Sequence, residues 1–177
     1  MSPNDKTMTF QHCTPSQMTR DTFIDTFADI YEHSAWVAEQ AFDNGITAEY
    51  DSIARLHQLM ASTLLNADKA SQLALINAHP DLAGKAAVAG KLTAASTSEQ
   101  SGAGISECSA EEFARFTSLN DAYKAKFRFP FIMAVKGSNR QQILAAFEER
   151  IQNNEEQEFS RALKEINKIA LFRLAAM

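Results

Sequence analysis

A chain of 177 residues is long enough for one domain with a buried core and too short to make a second expected. With 45% hydrophobic and 22% charged residues it reads as an ordinary globular protein, and no run of eighteen apolar residues is present to form a membrane span. A net charge of −5 without any basic cluster argues against nucleic acid as a partner, because phosphate binding needs a concentrated basic face.

The two cysteines, Cys13 and Cys108, fall in loop-like stretches outside any CxxC pattern. They are too few for a disulfide framework, so a reducing compartment is expected. The histidines, His12, His33, His57 and His79, are scattered without HxxxH or HxH spacing, and no metal is expected. Met1 to Thr9 is polar and lacks the apolar stretch of a signal peptide, and Ala175-Ala176-Met177 is not a peroxisomal address. The expected location is the cytoplasm. Residues 1–18 are expected to be a flexible lead-in and residues 19–177 the folded domain.

Helical periodicity then dominates. Beyond Met18, the residues Phe23, Phe27, Ile30 and Tyr31 recur at helical intervals, with Thr19 or Asp21 as the cap. Glu32 to Val37 continues the pattern and Gly45 stops it. A second amphipathic stretch places Ile53, Leu56, Leu59, Met60, Thr63 and Leu64 on one face. A third, from about Lys69 to Ala78, carries Leu73, Leu75 and Ile76 and delivers the chain to His79. From Ala86 to Ser109 the residues are small and polar and read as loop with room for one short helix.

Ser109 with Glu112 three residues on is a capping box opening a long helix. Its buried stripe is Phe113, Phe116, Leu119, Tyr123 and Phe127, and Pro130 ends it. Phe129 to Val135 fits a buried extended connector, and Lys136-Gly137-Ser138 a turn. Helices over about Asn139–Asn153 and Glu156–Leu174 complete the chain, the last with Phe159, Leu163, Ile166, Ile169 and Leu174 inside. No hairpin signal or internal repeat is present. The expected fold is all-α, a single compact domain of about seven or eight helices with a Phe-Pro-Phe connector lining the site.

The densest chemical stretch is Asn77-Ala78-His79-Pro80-Asp81-Leu82-Ala83-Gly84-Lys85. Pro80 biases His79 out of helical backbone angles, Asp81 can cap the next element, and Gly84 permits a tight turn. A histidine fixed at a helix end suits proton transfer, although on local sequence alone a helix C-terminus followed by a capped turn is the favoured reading. Glu99 and Arg150 are candidate companions. Glu99 also reads as the fourth residue of an S-x-x-E cap begun by Ser96, and Arg150 as an exposed arginine with its stem on neighbours. Phe129, Phe131 and Ile132 read as core. A break at Phe-Pro-Phe leaves backbone polar groups needing partners, which a planar heterocycle with urea-like edges could supply.

Several blocks together resemble one family. These are Tyr31-Glu32-His33-Ser34-x-Trp36-Val37-Ala38, the His79 to Lys85 segment, Leu92-Thr93-x-x-Ser96-x-x-Glu99-Gln100-x-x-Ala103-Gly104-Ile105, Leu119-Asn120-x-x-Tyr123-x-x-Lys126-Phe127-x-Phe129-Pro130-Phe131-Ile132, and Arg150-x-x-Asn153. In that order they are similar to the 2-oxo-4-hydroxy-4-carboxy-5-ureidoimidazoline (OHCU) decarboxylases, over roughly Phe23 to Leu174. The resemblance implies conversion of OHCU to (S)-allantoin and CO2, the last step of urate oxidation, without cofactor or metal and usually in a homodimer. It implies catalytic roles for His79, Glu99 and Arg150. Pro80, Ser96, Gln100 and the backbone around Phe131, Ile132 and Met133 would border the ligand. It further implies a functional link to urate oxidase-type and transthyretin-like hydrolase enzymes. Two positions depart from the family pattern: Arg128 stands where glycine is usual, and Ala35 where proline is frequent. If Arg128 needs a positive φ, the left-handed region costs it about 1–2 kcal/mol.

The implied chemistry is consistent with these residue types. OHCU carries hydroxyl and carboxylate on one ring carbon beside a C=N bond, so the substrate is its own electron sink and no cofactor motif is required. A histidine, titrating near neutrality, can move the required protons. Two other readings compete. A ureide hydrolase on the same scaffold would want an activated water, often on a metal. A helical binding module would use His79 and Glu99 only as caps.

Overall fold

A computed structural model describes residues 8–83 and 93–177. The expectations that fall on 84–92, including the turn at Gly84 and the first part of the small polar stretch, lie outside the described residues. Among the described residues there are eight α-helices and no strand, as the periodicity indicates. We number them α1 Arg20–Phe27, α2 Trp36–Asp43, α3 Ile53–Leu65, α4 Lys69–Asn77, α5 Ala94–Gly102, α6 Ala110–Phe127, α7 Arg140–Arg150 and α8 Glu155–Ala175. They form two compact units, one of Met1–Ala78 with Asn167–Met177 and one of His79–Ile166.

In the first unit the Thr19 side chain accepts from Thr22 N–H and starts α1, which buries Phe23 and Phe27. From Met8 onward the expected flexible lead-in is packed: the Phe10 ring lies 5.5 Å from that of Phe27, and the Ser16 N–H and hydroxyl both donate to Asp51. A buried aromatic and a doubly bonded carboxylate together offset the entropy of ordering so short a segment. The continuous helix expected from α1 through Val37 is interrupted. Ser34 N–H donates to Tyr31 O and the Ser34 hydroxyl to Glu32 O, while His33 takes φ +46. Such local side-chain bonds compete with the helical ladder. Two contacts near the break hold it to the end of the chain: Tyr31 hydroxyl donates to Asn167 Oδ1 at 2.8 Å, and Arg173 Nη2 pairs with Glu32 Oε1 at 2.9 Å.

α3 and α4 match the expected stretches, with Ser52 and Asp68 as their caps. Leu73, expected inside, is an exposed position of α4, while Leu75 and Ile76 are buried. His57 sits half-buried on α3 and donates from Nε2 to Asn167 O at 2.8 Å, a structural use of that imidazole.

The second unit begins at His79. α6 opens with the expected capping box: Glu112 N–H donates to the Ser109 hydroxyl, and Ser109 N–H to the Glu112 carboxylate. Its inward face is Phe116, Asn120, Tyr123 and Phe127. Phe113 is 36% exposed and Leu119 only half-buried, so the expected stripe shifts by one position to admit the Asn120 amide. The helix stops at Phe127, before Pro130, because Arg128 adopts the left-handed conformation with φ +64 and returns its N–H to Lys124 O at 2.8 Å. Proline soon after such a cap is the usual pattern. Residues 129–135 then run without helix, with Phe129, Phe131, Ile132 and Val135 buried, as expected of the connector.

The Arg128 side chain is exposed. Arg128→Gly is therefore expected to stabilise the protein by about 0.5–1 kcal/mol, the relief of left-handed strain outweighing the extra chain entropy of glycine. The midpoint of urea unfolding tests this, and a lower midpoint would show that Arg128 contributes contacts beyond its backbone.

Candidate active site

All nine residues singled out from the sequence lie in the second unit, between His79 and Ile166. The site is built from three pieces: the loop that starts at His79, helix α5, and the connector with Arg150.

His79 and Pro80 follow directly on the C-cap of α4 at Ala78, both half-buried. The next residues are fixed by side chains from elsewhere in the unit. Gln100 Oε1 accepts from Ala83 N–H at 3.1 Å, and its Nε2 donates to Asp81 O at 3.4 Å. Asn120 Nδ2 donates to Leu82 O at 2.9 Å, and Lys124 Nζ pairs with Asp81 Oδ2 at 2.7 Å. These clamps hold Ala83 at φ +54, a conformation that disfavours a residue with a Cβ.

α5 realises the short helix allowed for in the small polar stretch. Its cap is Thr93, whose hydroxyl accepts from Ser96 N–H at 3.2 Å. The S-x-x-E cap at Ser96 and Glu99 is thereby excluded: the helix begins three residues earlier and both lie inside it. Ser96, Glu99 and Gln100 follow i, i+3, i+4 spacing and share one face. Ser96 and Gln100 are buried and Glu99 is half-buried. The Gln100 bonds set this face against the loop after His79. Both ends of the Gln100 amide, expected to border a ligand, also bond the loop backbone.

Arg150 departs most from its local sequence reading. Far from exposed, it is 4% accessible at the end of α7. Its Nε donates to Glu158 Oε1 at 2.9 Å and its Nη1 to Ile132 O at 2.6 Å. The guanidinium carbon lies 4.3 Å from the centroid of the Phe131 ring, which stacks in turn on Phe147 at 3.9 Å. Nη2 is buried and has no hydrogen-bond partner among the described residues. Phe131, Ile132 and Arg150 are thus brought together. Met133 beside them is half-buried, and the next residue, Ala134, donates its N–H to Glu165 Oε1 at 3.2 Å.

Glu158 was missed by the sequence reading. It is wholly buried, and its Oε1 accepts from Tyr123 hydroxyl at 2.7 Å as well as from Arg150, while Oε2 accepts from Asn153 Nδ2 at 3.0 Å. Burial, then the bond to this carboxylate, pushes the Tyr123 phenol well above its ordinary range and keeps it a donor. The signal was present: Glu158, Ala162, Glu165 and Ile169 follow i, i+4, i+7, i+11 spacing, so two glutamates occupy core positions of α8. α6 connects the two halves of the site within one turn, with Asn120 and Lys124 on the His79 loop and Tyr123 on Glu158.

The family model of the OHCU decarboxylases matches residues 16–175. The 2-oxo-4-hydroxy-4-carboxy-5-ureidoimidazoline decarboxylase of Haloferax volcanii is 39% identical over 160 residues, covering 90% of this chain and 91% of that one. The uric acid degradation bifunctional protein of Bacillus subtilis is also 39% identical, over 90% of this chain but 31% of its own length. Among solved structures, an (S)-allantoin synthase superposes with a TM-score of 0.74 at 32% identity, over 92% of this chain and 51% of that chain. The fold, the order of the sequence blocks and these matches define an all-α decarboxylase scaffold. The chain belongs to the OHCU decarboxylase family.

The clamp on the His79 loop is directly testable. Gln100→Leu leaves the buried Ala83 N–H without its acceptor and is expected to cost about 1–3 kcal/mol in urea unfolding. An unchanged midpoint would mean that the loop holds its conformation without Gln100.

Proposed function

We propose that residues 19–177 form a carboxy-lyase that converts OHCU to (S)-allantoin and CO2 at the end of urate oxidation, needing no cofactor or metal. The observation that carries this reading is the family match over 16–175, a span that contains His79, Glu99 and Arg150 within one compact unit.

In the reaction the C–CO2 bond breaks, and its electron pair forms a double bond to the neighbouring ring carbon as the C=N pair moves onto nitrogen, which takes up a proton. The resulting enol loses its hydroxyl proton and gains one at the ring carbon, on a single face. His79 orients or deprotonates the hydroxyl as CO2 departs. His79 or Glu99 makes the final proton transfer to the ring carbon; where His79 makes it, Glu99 holds the ureido or ring N–H groups and sets the charge of the imidazole. Arg150 orients the substrate through an oxygen rather than gripping the departing carboxylate, since a tight grip would stabilise the ground state. Phe129, Phe131 and Ile132 form an apolar wall that favours loss of carboxylate charge as neutral CO2 forms. Pro80, Ser96, Gln100 and the backbone around Phe131, Ile132 and Met133 border the ligand. We place the enzyme in the cytoplasm as a homodimer, functionally linked to urate oxidase-type and transthyretin-like hydrolase enzymes. The name of the bifunctional Bacillus relative supports that link, and no described helix is long and apolar enough to cross a membrane.

The test generates OHCU in situ and follows CO2 release together with circular dichroism of the product. Stoichiometric CO2 and one enantiomer of allantoin are expected. Ammonia or urea would identify a hydrolase, and racemic allantoin at the spontaneous rate a binding module. His79→Ala is expected to fold and to lose roughly 10²-fold or more in rate. Undiminished activity in that variant, or in Glu99→Gln, would remove the proton-transfer role assigned to the residue.

A further inference from the structure

Glu165 is the second glutamate that α8 buries, and the proposed chemistry does not use it. Its carboxylate is turned to the connector. Oε1 accepts from Ala134 N–H at 3.2 Å, while Oε2 accepts from Arg161 Nε, one turn earlier on the helix, at 3.3 Å. Two residues before Ala134, Ile132 O accepts from Arg150 Nη1 at 2.6 Å. Met133 lies between these two anchors. It is half-buried, whereas Phe131 and Ile132 are buried, so the connector meets accessible surface at Met133.

The two anchors decide where the backbone of Met133 points. Each of its peptide units is planar and trans, so the C=O and N–H of one unit point in opposite directions. Ile132 C=O is directed at Arg150, and Met133 N–H, in the same plane, is directed away from it. Ala134 N–H is directed at Glu165, and Met133 C=O, in the same plane, is directed away from it. Neither backbone group of Met133 is hydrogen-bonded among the described residues. Such groups need partners once a ligand covers them. A ureide carries N–H and C=O side by side and can supply an acceptor for the one and a donor for the other.

We propose that Glu165 is a positioning residue: by holding Ala134 N–H it sets the plane of the Met133–Ala134 peptide and, with Arg150 on the preceding plane, presents Met133 N–H and C=O to the ureide of the substrate. The inference rests on the proposed OHCU reaction. Glu165 itself touches no reacting atom. Contacts from the Met133 backbone persist from the bound substrate to the transition state, so their loss weakens binding and leaves the chemical step in place.

The experiment measures kcat and KM for OHCU and the Kd of (S)-allantoin in wild type, Glu165→Leu and Glu165→Gln. Leucine removes the acceptor. Glutamine keeps one oxygen for Ala134 N–H, and the half-exposed Arg161 can turn away from the new amide nitrogen. Glu165→Leu is expected to raise KM and Kd by about tenfold, the loss of about one hydrogen bond, with kcat within about threefold of wild type. Glu165→Gln is expected to bring KM and Kd back to within about threefold of wild type. A lower kcat at unchanged KM reports only a smaller folded fraction and overturns the inference, as does a glutamine variant no better than the leucine one. Wild type gives a second readout, which decides the matter if the leucine variant does not fold. Hydrogen exchange at Met133 N–H is expected to be fast in the free enzyme and to slow by about tenfold or more with saturating (S)-allantoin; an unchanged rate overturns the inference. If wild type makes (S)-allantoin and fails these tests, the role of Glu165 alone falls. If it neither turns over OHCU nor binds (S)-allantoin, the proposed reaction falls and the inference with it.

Discussion

The second unit depends on one buried ion pair, Arg150 with Glu158. Taking both charges out of water costs several kcal/mol per ion, and the cost is recovered only when every remaining polar atom finds good geometry. The surroundings meet that demand almost completely. Glu158 has Tyr123 and Asn153 in addition to Arg150, and Arg150 has Ile132 O and the Phe131 face. Tyr123 packs edge-on to Phe129, Phe131 and Phe147 with centroids 5.4–6.0 Å apart, so the aromatic cluster and the ionic one share a side chain. A hydrophobic replacement of similar volume could be as stable. What the pair supplies is geometry, because α6, the connector, α7 and α8 all end on one carboxylate or its partner. The exception to full satisfaction is Nη2, which has no hydrogen-bond partner among the described residues.

A second set of constraints holds the loop after His79. Ala83 in the left-handed region would relax if released, and Gln100, Asn120 and Lys124 prevent this with bonds to three consecutive residues. Lys124 and Asn120 lie four residues apart on α6 with Tyr123 between them in sequence, so one turn of helix serves both the loop and the ion pair. The loop just after His79 is thus fixed by side chains from α5 and α6. Changes at Tyr123 should then act on substrate binding and turnover through geometry.

Much of this organisation was legible in the chain. The capping box at Ser109 and Glu112, the apolar periods of α3 and α8, and the connector after Phe127 all depend on local rules that tertiary contacts did not override. Three features escaped because they are decided at a distance. Arg150 reads as exposed within its own helix, and only Glu158 and the connector carbonyl bury it. The break between Tyr31 and Ala35 follows from Ser34 bonding its own backbone, together with anchors from Asn167 and Arg173 at the far end of the chain. Asn120 replaces Leu119 on the inner face because its amide is needed at Leu82 O. Arg128 shows the converse case. The sequence raised the question of a positive φ, and the backbone does adopt it at the helix end, where the side chain can stay in solvent.

The measurement that tests the central claim most directly is a structure of the protein with (S)-allantoin bound. The expected result places the ligand in contact with His79, Glu99 and Arg150, with Arg150 Nε still on Glu158 and Nη1 still on Ile132 O. A ligand bound elsewhere, or an Arg150 side chain that leaves Glu158 to reach it, would contradict the claim that the buried pair fixes Arg150 at the site.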